Sequence, residues 1–413
     1  MRILTIVHNH SSNHPGGTEY IAEALHAAYG ARDDVEASWL LAAQDPGLSA
    51  GLAGTTVSAL PGYDDVYLFR HGNFDPIMQT RDSLEPFLFD VSWLLDELRP
   101  THIHIHHLNH WGVELLGFLR RKLPDVKIIL TLHDYYFICA NDGLLQDEKG
   151  RPCAHMRGDI CRCIPALPVA QAQAKRLNVL QHLTMVDQIV APSRFLMEQF
   201  INWGVPKQQI TLINHGWPVT VPDVSSQPDP HRFALIGNLR PSKGTLLAMR
   251  AFNMACERSG LPLELDIWGD ALYQPDTVQE EIKALARESK GAIRLHGRYE
   301  QLDVSRAMDR AAWVLVPSLW WENAPLVIQE AFAAGRPVLC SNIGGMAEAV
   351  RDGKDGRHVP VGDLSAWADT LADCGGNAPL WGKLHKGIKP RKTVAQMADD
   401  YISLLAVKAR KAA

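Results

Sequence analysis

Apolar residues fall in short runs separated by amphipathic stretches along most of this chain, and the two patterns alternate. Arg2–Val7 is an apolar run, followed by a polar, glycine-bearing loop, His8–Gly17, and a helical period from Thr18 through Tyr29. Phe87–Leu98 predicts a helix, Thr101–His106 a strand, Trp111–Lys122 a helix, and Lys127–Leu132 a strand ending at His133-Asp134. Val186–Val190 predicts a further strand, with Pro192-Ser193 and a helix behind it, and Ile210–Asn214 closes this half. Short apolar runs bounded by turn residues suit strands buried on both faces. Their alternation with helices implies parallel sheets.

The pattern breaks at Val221–His231, a stretch rich in Pro, Ser and Asp that reads as a linker. It then restarts. Strands are predicted at Phe233–Gly237, Leu263–Trp268, Ile293–His296, Trp313–Ser318 and Pro337–Ser341, with helices at Gly244–Arg258, Thr277–Ser289 and Val304–Ala311. Thr393–Val407 reads as a last amphipathic helix. The expected organisation is α/β, with one Rossmann-like domain over 1–220, the linker at 221–231 and a second over 232–390. A terminal segment, 391–413, completes it. Ligands of such folds bind beyond the carboxyl ends of the strands, which places the expected site in a cleft between the two sheets.

Composition narrows the function. A chain of 413 residues is too long for one core. A net charge of −5 argues against nucleic acid as the main partner. No apolar run is long enough to span a bilayer, and the opening MRILTIVHNH is too short for a signal peptide, so a cytoplasmic protein is expected. The seven cysteines are then expected to be thiols or metal ligands rather than disulfides.

The most informative segment is LWWENAPLVIQEAFAAGRPVLCSNIGGMAEAV, residues 319–350. Glu322 and Glu330 are eight positions apart, a spacing that could set both carboxylates on one helix face. Asn323, Ala324 and Pro325 would open that helix, with Leu326 on its apolar side, and free amides at its start would favour a phosphate. Two carboxylates that accept from hydroxyls, beside an anion seat, suit a nucleotide sugar.

These residues, with Pro317-Ser318, Gly335-Arg336-Pro337-Val338 and Gly344-Gly345, resemble the E-x7-E segment of the retaining glycosyltransferases of family 4, which have the GT-B fold. The resemblance extends over nearly the whole chain. It implies transfer of a hexosyl group from a nucleoside-diphosphate-sugar to a hydroxyl of a glycan or lipid-linked acceptor, as in cell-surface polysaccharide or glycolipid synthesis, without a metal cofactor. Glu330 would hold the ribose and Glu322 the donor sugar. Gly16 and Gly17 resemble the family's glycine loop. Lys243 matches the family lysine that meets the diphosphate, while Asn238 stands where the family has an arginine and Arg240 is a candidate substitute. Arg298 and Tyr299 resemble the base-recognition loop. His133 resembles the histidine near the anomeric centre, with Asp134 to orient it. His106, His107 and Arg194 fall on the acceptor side. The terminal helix would cross back to the N-terminal domain.

Three further features carry alternatives. Cys139, Cys153, Cys161 and Cys163, in a loop over 139–163, could hold a structural zinc, with free thiols as the rival. His102, His104 and His106 alternate on one strand face, but a strand with neighbours leaves three ligands little room to converge on a metal. Leu115, Leu116, Phe118 and Leu119 beside Arg120, Arg121 and Lys122 suggest either a core-facing helix or a peripheral membrane contact. The rival functions are a sugar-nucleotide epimerase on the same fold and a non-catalytic nucleotide-sugar binding protein.

Overall fold

The computed structural model describes residues 1–44, 55–141, 143–147, 152–153, 167–217, 228–299 and 301–406. They form two compact units. The first comprises Met1–Glu148, Cys153–Gly216 and Lys392–Ala413; the second comprises Lys149–Pro152 and Trp217–Arg391.

The first unit is built on strands β1 (Arg2–Val7), β2 (Ala37–Gln44), β3 (Val57–Ala59), β4 (Val66–Arg70), β7 (His102–Ile105), β8 (Lys127–Thr131), β9 (Gln188–Ala191) and β10 (Ile210–Leu212), with a small hairpin of β5 (Phe74–Asp75) and β6 (Thr80–Arg81) alongside. The sheet order is β10-β9-β8-β7-β1-β2-β4-β3. Only β3 runs antiparallel, against β4. Central strands in a parallel sheet lose both faces to helices, and Ile3, Leu4, Ile6 and Val7 of β1 are accordingly fully buried. The helices are α1 (Gly17–Gly30), α2 (Ser92–Leu98), α3 (Glu114–Lys122), α4 (Val169–Leu183) and α5 (Arg194–Trp203). Ser193 caps α5, its hydroxyl accepting from the Leu196 amide at 3.2 Å.

The second unit has strands β11 (Arg232–Ile236), β12 (Glu264–Trp268), β13 (Ile293–Gly297), β14 (Trp313–Val316), β15 (Val338–Ser341) and β16 (Gly356–Val359), all parallel, in the order β13-β12-β11-β14-β15-β16. Alternate residues of β11 serve opposite cores. Phe233 and Leu235 pack with Phe252, Trp313 and Trp367, whereas Ala234 and Ile236 pack with Val314, Ile328 and Val338. Helices α6 (Thr245–Ser259), α7 (Asp276–Glu288), α8 (Gln301–Arg310), α9 (Leu326–Ala333), α10 (Gly344–Ala349), α11 (Leu364–Cys374) and α12 (Ala378–Gly387) follow in turn.

The last helix, α13 (Val394–Leu405), belongs to the first unit, where it packs against α1. Thr393 and Gln396 form a capping box at its start. Tyr401 is fully buried and its hydroxyl lies 2.9 Å from Thr131 Oγ1 on β8.

Of the two readings of α3, the core-facing helix is the one its apolar side chains follow. Leu115, Leu116, Phe118 and Leu119 are buried within the first unit. Arg120 donates to the Met185 carbonyl at 2.9 Å and to Asp187 at 2.8 Å, and Lys122 pairs with Asp96 at 2.7 Å. The basic end therefore ties α3 to its own unit. Among the described residues no helix is long and apolar enough to cross a membrane.

Tyr401 tests the anchoring of α13. Tyr401→Ala removes a buried ring and a hydrogen bond, and should lower unfolding free energy by about 3–5 kcal/mol in urea denaturation. A loss below about 1 kcal/mol would show that α13 is only loosely held.

Candidate active site

In the second unit, the loops that leave the carboxyl ends of β11, β12, β14 and β15 are bound to one another by backbone. Gly237 and Leu239 amides donate to the carbonyls of Trp268 and Asp270 at 2.9 and 3.0 Å. The Leu319 amide donates to Ser242 O at 2.8 Å, and the Gly345 amide to Glu322 O at 2.7 Å. Two glycines make these approaches possible. Gly244, at φ +73°, lies where a Cβ would stand 2.0 Å from Pro317 O. A Cβ on Gly345 would lie 1.5 Å from Asn323 O.

Glu322 sits at the centre of this cluster. Its residue is only 5% exposed. One oxygen, Oε1, takes three donors: Lys243 Nζ at 2.6 Å, Ser318 Oγ at 2.8 Å and Trp320 Nε1 at 2.8 Å. The Lys243 ammonium also lies 5.3 Å from the centroid of the Trp320 ring. A buried carboxylate is tolerable only when paired and hydrogen-bonded, and this one is both.

The shared helix face inferred from the spacing is corrected here. Glu322 precedes α9 by four residues, in the loop before it; Pro325 is the cap, and only Glu330 is helical, half-buried on α9. Pro325 fixes the helix start, because its ring cannot supply the amide of an earlier turn. Asn323 is buried; Ala324, Pro325 and Leu326 are partly exposed. Asn238 and Arg240 are exposed on the β11 loop. Arg298 is exposed and pairs with Asp270 at 3.2 Å, while Tyr299 packs against the core around Ile236. Sequence reasoning assigned no role to Ser318 or Trp320, since nothing local marks a residue as the partner of a carboxylate.

Two family models cover most of the chain. One, Glycosyltransferase Family 4, matches residues 15–220, and the other, Glycosyl transferases group 1, matches residues 230–376. The chain belongs to the family 4 glycosyltransferases. It is 25% identical over 359 residues to a D-inositol 3-phosphate glycosyltransferase of Nocardioides sp., covering 82% of this chain and 75% of that one. A relative of the same description from Mycolicibacterium smegmatis is 34% identical over 288 residues, 66% of this chain, and the match spans only 60% of that protein's length. Among solved structures, Anabaena HepE in complex with UDP aligns over 98% of this chain and 100% of its own, with TM-score 0.70 and 16% identity. Sucrose-phosphate synthase of Thermosynechococcus elongatus aligns over 99% and 100%, with TM-score 0.68 and 18% identity. These likenesses establish the GT-B fold.

In the first unit the glycosyltransferase gathers histidines at the carboxyl edge of its sheet. His8 follows β1, His106 and His107 follow β7, His133 follows β8 and His215 follows β10. His106 Nδ1 lies 3.0 Å from His133 Nε2, and the His133 ring stacks on His215 at 5.2 Å. His107 Nε2 is 3.1 Å from Asp134 Oδ2, and Asp134 Oδ1 accepts from the Tyr136 amide at 2.8 Å. Behind them His104 bridges Tyr29 and Thr131 at 3.0 and 2.8 Å, which makes it structural. Gly16 caps α1 and Gly17 begins it. Arg194 is exposed on the first turn of α5.

Cys139 and Cys153 are buried, 14 positions apart in sequence; Cys161 and Cys163 lie outside the described residues. Among the described residues no three His, Cys, Asp or Glu side chains converge as a metal site, the His102–His106 face included.

Burial drives the imidazoles towards neutrality. His104 is pushed down to about 3 and His215 to about 4, and His8, His106 and His133 lie well below the usual value, with neighbouring imidazoles adding to the burial effect for these three. The unfolded chain therefore binds protons below pH ~6.5 that the folded unit refuses, so stability is lost as pH falls from there towards 4. Glu19, raised to about 7 by burial, works the other way and offsets one proton. Unfolding near pH 5 should thus take up protons on balance, and protection of β8 amides from hydrogen exchange should fall steeply between about pH 6.5 and 4.5. Protection independent of pH across that window would contradict neutral burial.

Proposed function

We propose that this glycosyltransferase moves a hexosyl group from a nucleoside-diphosphate-sugar, a UDP-sugar first, to a hydroxyl of a glycan or lipid-linked acceptor, with retention at the anomeric carbon. One observation carries the reading: Lys243 and Glu322, from two different strand-end loops, are hydrogen-bonded at 2.6 Å beside the start of α6. A leaving diphosphate needs fixed positive charge as the anomeric carbon becomes cationic. Lys243 supplies the charge and the first amides of α6 supply aligned donors. Glu322 keeps the ammonium in place and, through its backbone, holds Gly345 and the β15 loop. Glu330 is assigned to the ribose hydroxyls and Arg298-Tyr299 to the base. Support for uridine comes from HepE, which was solved with UDP and with UDP-glucose.

His133, with its ring between His106 and His215, is assigned to the donor sugar near the anomeric centre. His106, His107, Asp134 and Arg194 are assigned to the acceptor. No enzyme nucleophile is assigned; in this reading the leaving phosphate oxygen takes the acceptor hydroxyl's proton while the new glycosidic bond forms on the face it leaves.

A thermal-shift screen of UDP-, GDP- and ADP-sugars tests the donor. At 100 times its Kd, the right donor adds about 2.7 kcal/mol of stability and a matching rise in melting temperature. Radiolabelled transfer to glycan, glycolipid and inositol phosphate acceptors, the last suggested by the curated relatives, then tests the reaction. Binding of no nucleotide sugar would end the reading, donor isomerisation without acceptor would favour an epimerase, and binding without transfer to any acceptor would favour a binding protein.

Glu322→Gln keeps the shape and loses the charge that fixes Lys243. It should lower kcat about 100-fold or more while the Kd for nucleoside diphosphate changes less than about threefold. Unchanged turnover would remove Glu322 from the machinery.

A further inference from the structure

Glu19 has no part in the roles assigned above. It stands in the first turn of α1 with its side chain 5% exposed. Its Oε1 lies 3.1 Å from His8 Nε2, and its Oε2 sits 2.5 Å from the place a Cβ on Gly16 would take. The carboxyl is folded back beneath the glycine loop, in space that any larger residue at 16 would contest. One turn along α1, Glu23 accepts from the Ser11 amide at 2.8 Å and from its hydroxyl at 2.7 Å. Two carboxyl side chains on one helix face thus hold the loop that feeds that helix.

His8 completes the arrangement. Its ring packs on His107 with centroids 4.4 Å apart. The tautomer of His107 is fixed: the Asn109 amide donates to its Nδ1 at 2.9 Å, so Nε2 carries the proton that faces Asp134. His8 has no such lock. Its Nδ1 is buried and has no hydrogen-bond partner among the described residues, and its Nε2 lies 3.1 Å from Glu19 Oε1. A buried imidazole nitrogen without a partner is costly unless something enters to use it.

We propose that Glu19 is a positioning residue that sets the tautomer of His8, and thereby decides whether His8 Nδ1 offers a lone pair or an N–H to a hydroxyl arriving beside the glycine loop. The proposal rests on the transferase reading, in which this edge of the unit takes the acceptor. With Glu19 ionised, the imidazole proton sits on Nε2 and is donated to Oε1, which leaves the Nδ1 lone pair bare. When the carboxyl takes one proton from solvent, its O–H donates to Nε2 and the ring proton sits on Nδ1. One proton is gained and none is lost, and His8 stays neutral in both states. The groups that face the pair are the imidazoles of His14, His107 and His110 and the carboxylate of Glu23. Burial raises the Glu19 carboxyl to about 7, which puts the exchange near neutrality. The lone-pair form is the one that accepts a hydrogen bond from a second, non-reacting hydroxyl of the acceptor and so holds the acceptor in place, while the attacking hydroxyl keeps its proton for the leaving phosphate.

Full-length enzyme with 15N-labelled histidine tests this directly. The His8 Nδ1 resonance, assigned by its displacement in Glu19→Asp, should pass from protonated to bare nitrogen as pH rises through about 7. In Glu19→Gln the tautomer should no longer titrate, with the melting temperature confirming a folded protein. Acceptor kcat/KM should fall about tenfold per pH unit below about 7 in the natural enzyme, and Glu19→Gln should remove that limb while leaving donor KM unchanged. A His8 tautomer that is constant from about pH 5.5 to 8.5 in the natural enzyme, or a midpoint that survives in Glu19→Gln, overturns the proposal. Absence of any transfer would count against the transferase reading alone, because the nitrogen titration decides Glu19 without turnover.

Discussion

A single carboxylate oxygen organises the second unit. Glu322 Oε1 is buried and takes an ammonium, a hydroxyl and an indole N–H, drawn from the loops after β11 and β14. A charge taken from water costs several kcal/mol unless its partners replace the lost hydration. The three donors do that, and in return each is fixed at a defined distance. Lys243 is thereby a pre-positioned cation, with about a third of its side chain still exposed. Catalysis of diphosphate departure needs such a charge in place beforehand, since a mobile lysine would have to be ordered at the moment of reaction.

That arrangement demands close backbone. The Glu322 carbonyl accepts from Gly345, and Gly244 lies against Pro317 O where no Cβ fits. Strand-end loops in a parallel sheet start about 4.8 Å apart, the strand spacing, so loops that cross one another must touch through main chain. Glycine is required at those crossings for space as much as for dihedral freedom. The glycines of the motif are thus part of the same device as the carboxylate, and neither makes sense without the other.

Much of this was legible beforehand, and the failures share a cause. Apolar runs gave the strands that are buried on both faces: Arg2–Val7 was read at its observed bounds, and Trp313–Ser318 overran β14 by only two residues. The residues after Gly30 gave no strand although β2, Ala37–Gln44, runs beside β1; its sequence ASWLLAAQ has the length and apolarity of a helical turn as readily as a strand. Spacing alone placed Glu322 and Glu330 on one helix, and the structure begins that helix only after Pro325. The Lys243–Glu322 contact joins residues 79 positions apart, and no periodicity reports which distant loop a side chain will meet. For the same reason the sequence gives roles to His133 and Lys243 singly but none to Ser318, although it stands in the motif, nor to Trp320, His8 or Glu19, whose importance lies in their partners.

The two units differ in how they manage polarity, and the difference has chemical consequences. The second keeps a charged pair at its sheet edge. The first lines the corresponding edge with imidazoles that burial holds neutral, most of them beside another imidazole rather than a carboxylate. A diphosphate calls for the former environment: its charge is met by charge. The latter offers little to an anion, because the ring nitrogens cannot be both buried and cationic at neutral pH without a partner. It does suit hydroxyls, which donate and accept at once and lose little when water is replaced by imidazole nitrogen.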